Sequence, residues 1–175
     1  MSTLISDEYK AQQTKLHEDP DYGIMSVYYA PMISLVINHL GVNNLLDYGC
    51  GKARLRKCLK VDHPVSYFGY DPGVEEFSSA PQPAEMVACV DMLEHIEPDC
   101  LEAVLDDLQR LTVKLIFLTV HTGPAGRVLP DGRNAHLIQQ PKEWWMEKLS
   151  KRFDLEADKE DTQGFWAVMV PKAII

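Results

Sequence analysis

Positive charge is scarce in this chain. Its 175 residues carry 17 Lys and Arg against 26 Asp and Glu, a formal net charge of −9 with the histidines neutral. Such a surface repels a phosphate backbone unless its few cations gather on one face, so nucleic acid is a disfavoured partner and DNA is not expected. Cysteine is sparse too: Cys50, Cys58, Cys89 and Cys100 form no C-x-x-C pair and follow no metal-ligand spacing, so no metal site is expected. Cys50 lies in a turn and Cys89 in an apolar run, which suits small buried hydrophobes in a reducing cytoplasm. No apolar run reaches the roughly 20 residues of a membrane span. The stretch Met1-Ser2-Thr3-Leu4 lacks the basic segment and apolar core of a secretory leader, so neither membrane nor export is expected. The rest is ordinary globular composition, 46% hydrophobic and 25% charged, of a length that suits one domain over residues 1–175. Within it, residues 1–40 read as a helical segment and 41–175 as an α/β core.

The core is organised around Leu45-Leu46-Asp47-Tyr48-Gly49-Cys50-Gly51-Lys52-Ala53-Arg54, an apolar run that ends in an acid, turns through two glycines and continues into helix-forming residues. Strand, tight turn and helix is the expected local structure, with glycines letting a ligand approach the backbone. A phosphate-binding P-loop is excluded twice: Leu46 stands where its first glycine should be and Ala53 where its magnesium-binding hydroxyl should be. A dinucleotide fingerprint is weakened because Arg54 replaces its third glycine. Asp-x-Gly-x-Gly remains, and a carboxylate there suits a cationic group rather than a pyrophosphate.

In these residues the chain resembles the class I S-adenosylmethionine-dependent methyltransferases, whose first motif has this form and whose cofactor carries an ammonium and a sulfonium. The resemblance implies cofactor contacts at Asp47, Gly49, Cys50 and Gly51. Val65 to Pro72 reads as the next strand. It closes with Asp71 and Pro72 about twenty residues after the glycines, where a βαβ nucleotide site places the acid that takes two ribose hydroxyls. A second segment strengthens the likeness. Glu85 to Val90 is a buried strand, and Asp91-Met92-Leu93-Glu94-His95-Ile96 resembles the D-x-L-E-H-I segment of small-molecule methyltransferases, implying Asp91 and Met92 beside the methyl end of the cofactor. Neither the Asn- or Asp-Pro-Pro-Tyr signature nor the Pro-Cys nucleophile of DNA base methylation is present.

The expected fold is therefore a Rossmann-like α/β domain with a mostly parallel sheet, helices on both faces and a C-terminal antiparallel hairpin. Gly73 to Glu85, with Pro81 and Pro83, is too short and too proline-rich for the family's usual helix and third strand, so that strand is expected to be reduced or absent. Helices are expected at Ile24 to Leu40, with Pro31 in the first turn, at Lys52 to Lys60, at Pro98 to Leu111 and at Pro141 to Phe153; a strand is expected at Lys114 to His121, and the hairpin at 153–157 and 164–170. Thr122 to Gln140 is a long loop at the ligand edge of the sheet, where such loops are commonly functional.

In this family the protein mainly aligns a nucleophile and excludes water. His121 and His136 are the candidate bases, with solvated or hydrogen-bonding histidines as the alternative, and His95 reads as structural. Arg127 and Arg133 are candidate contacts for an anionic substrate, and Tyr22, Tyr28 and Tyr29 are candidate pocket walls. Methyl transfer from S-adenosylmethionine to a small molecule is favoured over transfer to protein or RNA. An inactive cofactor-binding module that serves a protein partner is the alternative, and a nicotinamide oxidoreductase ranks third. The acceptor atom and the oligomeric state are left open.

Overall fold

A computed structural model of the protein describes residues 3–173. Two helices, α1 (Asp7–Leu16) and α2 (Met25–Leu40), precede β1 (Asn44–Tyr48), α3 (Arg54–Cys58), β2 (Ser66–Tyr70) and β3 (Ala84–Val90). Then follow α4 (Leu101–Leu111), β4 (Thr112–His121), α5 (Lys142–Leu149), β5 (Phe153–Glu160) and β6 (Gly164–Pro171). The strands form one sheet in the order β2-β1-β3-β4-β6-β5. The pairs from β2 to β4 are parallel, while β4 with β6 and β6 with β5 are antiparallel. The expected class and terminal hairpin are both present.

The central strands lack polar alternation because both of their faces are covered. Leu45, Met86, Ala88, Leu115 and Phe117 point to the face packed by α2 and α3. Leu46, Val87, Cys89, Ile116 and Leu118 point to the face packed by α4 and α5. A strand buried on both sides needs apolar residues at successive positions, as these have. Helix α4 presents Leu101, Val104, Leu105, Leu108 and Leu111 to this core, one stripe at helical spacing.

No strand forms between β2 and β3; a single 3-10 turn at Glu75–Phe77 takes up the connection. The sheet therefore ends at β2, where Ser66 and Phe68 remain exposed. The expected loss of the third strand is realised as its absence. Three helices depart from expectation. Pro31 lies well inside α2 rather than in its first turn. It leaves the Val27 carbonyl without an amide four residues on, but Val27 is exposed and water can serve that group. The glycine turn leads into α3 of only five residues, not a helix over 52–60. Helix α5 ends at Leu149, and the chain turns sharply into β5.

The closure of the hairpin against the parallel strands depends on Gly164, opposite His121. A Cβ built there would lie 2.0 Å from the Val120 carbonyl oxygen. Gly164→Ala should therefore lose about 3 kcal/mol of stability by overpacking. Gly126→Ala, where a Cβ meets nothing within 4 Å, should stay within about 0.5 kcal/mol of the parent. Urea unfolding midpoints of the two variants check this; equal midpoints would mean that β4 and β6 are not paired in this register.

Candidate functional site

The turn after β1 is built from backbone. Gly49 and Gly51 have φ of +83° and +50°, angles that residues with a Cβ seldom adopt. Space forbids a side chain at Gly49 as well, since a Cβ would sit 2.5 Å from Met92 Cγ. The Gly49 and Cys50 amides both donate to the Tyr70 carbonyl, at 2.8 and 3.0 Å, which ties the turn to the end of β2.

At that end sits Asp71, buried, with both oxygens engaged. Oδ2 accepts from the Gly51 amide and Oδ1 from the Gly73 amide, each at 2.9 Å. His17 Nε2 stands 3.5 Å from Oδ2, so the segment after α1 closes over the glycine turn. Two backbone amides, one on each oxygen, fix the carboxylate's orientation without help from a long helix. Beside it, Pro72, Gly73, Met92 and Ile96 face Leu4 and Ile5 across a small apolar recess of about 80 Å³. The N-terminal segment thus supplies one wall of this recess.

Asp47 is buried on β1 and accepts from the Tyr67 hydroxyl at 2.5 Å. Burial pushes its carboxyl up to about 7, opposed by the Tyr67 hydrogen bond and reinforced by Asp71. The group is poised near neutrality, and a cation placed beside it would favour its ionised form.

Asp47, Gly49, Gly51, Asp71, Asp91 and Met92 all border one cavity of about 560 Å³. Four of the six histidines, His17, His95, His121 and His136, border the same space. Three of them form a row: the His95 and His136 rings are 4.7 Å apart, and those of His136 and His121 are 4.8 Å apart. The backbone of Gly123 holds the last two rings. The Gly123 carbonyl accepts from His136 Nδ1 at 2.8 Å, which puts the proton on Nδ1 and leaves Nε2 bare. His121 Nδ1 lies 3.1 Å from the Gly123 amide nitrogen and 3.2 Å from the Gly123 carbonyl oxygen. Burial lowers His136 below the ordinary imidazole range and takes His95 down to about 4, so both are neutral at pH 7.

Asp91 adopts a left-handed φ of +53°, held by its amide donating to Thr119 Oγ1 at 2.9 Å. A non-glycine residue in that region marks local strain of the kind that gathers at functional sites. Glu94 is fully buried behind it, with Oε1 accepting from the His121 amide at 2.7 Å. Burial and the neighbouring Asp91 carboxylate push the Glu94 carboxyl well above its ordinary range. Its other oxygen meets no hydrogen-bond partner among the described residues, and burial favours the protonated form of the group. The same residue anchors the long loop, as the Ile138 amide donates to the Glu94 carbonyl at 3.0 Å. Asn134 braces the loop from within. Its Oδ1 accepts from the Ala125 and His136 amides, each at 2.9 Å, and so presents His136 to the cavity.

The cavity also sorts the remaining sequence candidates. Arg127 borders it but is paired with Asp19, and its guanidinium lies 5.9 Å from the centre of the Tyr22 ring. Arg133 does not border it. That side chain pairs with Asp131 and faces a separate polar hollow shared with Ser6 and Glu97. Of the three tyrosines only Tyr22 lines the cavity; Tyr28 is 73% exposed, and Tyr29 packs on Phe117. Cys50 borders it through the turn, whereas Pro72 faces the apolar recess. His95, read from sequence as structural, belongs to the cavity wall. Gln13, His17, Glu94 and Asn134 are the residues that sequence reasoning missed. Among the described residues no group of three or more His, Cys, Asp or Glu is gathered to hold a metal ion, and no helix is long and apolar enough to cross a membrane.

No protein-family model matches the chain, and no curated protein sequence matches it. Solved structures do share its fold. The 1,6-didemethyltoxoflavin-N1-methyltransferase of Burkholderia thailandensis, crystallised with 1,6-didemethyltoxoflavin and S-adenosylhomocysteine, aligns with a TM-score of 0.70 at 14% identity, over 95% of this chain and 90% of that one. DhpI in complex with S-adenosylhomocysteine aligns at 0.60 with 16% identity, over 97% and 95% of the two chains. The small RNA methyltransferase HEN1 aligns at 0.62 with 14% identity, over 85% of this chain and 25% of that larger one. The chain has the fold of the class I S-adenosylmethionine-dependent methyltransferases.

Proposed function

We propose that the protein transfers the methyl group of S-adenosylmethionine to a small-molecule acceptor. The observation that carries this reading is the meeting of two oriented acids, Asp47 and Asp71, with a glycine turn at the wall of one cavity. The cradle fits the cofactor. A side chain is sterically barred at Gly49, the buried Asp47 suits an ammonium, and Asp71 suits ribose hydroxyls, which would take over the position of His17. The apolar recess between Pro72, Met92 and Ile5 suits the adenine. When bound, the cofactor supplies a methyl on a sulfonium. The chain's own residues hold and orient the reactants and exclude water, and His136 Nε2 is the bare nitrogen that can accept a proton from an acceptor. The cavity volume lies in the range of small-molecule sites. Two of the three structural neighbours described above were crystallised with S-adenosylhomocysteine, which supports the same cofactor here.

Two measurements test this. In calorimetric titrations both S-adenosylmethionine and S-adenosylhomocysteine should bind and nicotinamide dinucleotides should not. Asp71→Ala should weaken binding by about 10- to 100-fold, the worth of a charge-assisted hydrogen bond. Retention of a cooperative melt would show that the loss belongs to the site; binding unchanged by the substitution would refute the ribose role.

The second is pH dependence. An ammonium ligand needs the Asp47 carboxylate, which burial holds protonated below about 7. Cofactor affinity should therefore rise with pH up to about 7 and then level off, with a limiting slope of about tenfold per unit on the acid side. Asp47→Asn should bind more weakly and with a flat profile across pH 6 to 7, roughly the window in question. A parent profile equally flat there would show that Asp47 does not meet the ammonium.

A further inference from the structure

The cavity is rich in acids and poor in free cations. Asp21, Asp47, Asp71 and Asp91 border it, against Arg127 alone among Lys and Arg of the described lining residues, and that guanidinium is already paired with Asp19. Arg133, the other sequence candidate for an anion, is spent on Asp131 outside the cavity. Two of the acids have a use in the cofactor site proposed above. Asp91, which the family resemblance puts beside the methyl end of the cofactor, where an acceptor must approach, makes no ion pair with any described residue.

Its surroundings are unusual for a carboxylate. On its own segment, Glu94 is buried with its carboxyl pushed well above the ordinary range, and His95 follows directly. The His136 ring lies 4.7 Å from that of His95; burial keeps both neutral, and Asp91 exerts an opposing pull on them. The ring of Tyr22, 6.1 Å from that of His95, completes the wall and already faces one cation, Arg127. Ile24, Met25 and Pro124 supply the apolar part of the lining. A partly buried carboxylate without a counter-ion is electrostatically incomplete. The aromatic face and the bare Nε2 of His136 both complement a cation.

Resting on the methyltransferase reading, we infer that the acceptor is a small amine with an apolar body, bound as its ammonium against Asp91 and the Tyr22 wall. Before it can act as a nucleophile the ammonium must lose a proton. His136 Nε2 is placed to take it: one N–H bond of the ammonium breaks, its electron pair stays on the amine nitrogen, and an N–H bond forms on the imidazole. Carboxylates and phosphates are excluded by the same field that favours the amine.

Calorimetry on protein saturated with S-adenosylhomocysteine tests this with three probes of one shape: benzylamine, benzyl alcohol and benzoate at pH 7. Benzylamine should bind at least about tenfold more tightly than either of the others, the effect of one charged contact. In Asp91→Asn, confirmed by its melt to be folded, that preference should collapse to within about twofold. Equal or undetectable binding of the three, or tighter benzoate, would overturn the amine assignment. An amine preference that survives in Asp91→Asn would overturn the role of Asp91. The cofactor titration comes first and separates the two levels. Failure to bind S-adenosylhomocysteine would bring down the methyltransferase reading and this inference with it, whereas binding of that ligand without an amine preference would overturn this inference alone.

Discussion

The Asp71 carboxylate is the contact on which the ligand edge of this protein depends. It closes β2, fixes the glycine turn through the Gly51 amide, shapes its own turn through the Gly73 amide and meets His17 from the N-terminal segment. One side chain thereby links three segments distant in sequence. A buried carboxylate tolerates this position only because its oxygens are matched by donors, and those donors are mainly backbone amides that cannot rotate away. The His17 contact, at 3.5 Å, is longer than the two amide bonds at 2.9 Å.

The N-terminal segment closes the other side of the cavity. Leu4, Ile5 and α1 line an apolar recess with Tyr48, Tyr70, Pro72 and Met92 at the ends of the strands. Tyr9 fastens this cover: its hydroxyl donates to the His95 carbonyl at 2.5 Å and accepts from Gln13 Nε2 at 2.6 Å. An unmatched partner in such a buried pair would be costly.

The electrostatics of the cavity follow from burial more than from charge number. Asp47 and Glu94 are both pushed upward by desolvation, but Asp47 keeps a hydrogen-bond donor in Tyr67 and stays near neutrality, while Glu94 sits beside a second carboxylate and holds its proton. Desolvation acts in the opposite direction on His95 and His136 and keeps them uncharged. Burial thus moves acids and imidazoles in one space in opposite directions, each toward its uncharged form.

Much of this was legible in the sequence, because it is encoded by short-range rules. The apolar runs of β1, β3 and β4, the positive-φ glycines at 49 and 51, the acid at the end of β2, the stripe of α4 and the prolines that remove a strand each act within a few residues. The sequence by itself determined the fold class, the glycine turn and the acids that border it, since backbone sterics and hydrophobic periodicity leave little choice there. Tertiary structure alone decided which polar side chains share the cavity. His17 reaches Asp71, Glu94 takes the His121 amide, and Gly123 holds the rings of His121 and His136, while Arg127 and Arg133 are drawn off to Asp19 and Asp131. Those outcomes depend on where a helix and a long loop come to rest against the sheet, and the competition among distant charged groups for partners is settled only when burial removes water from between them.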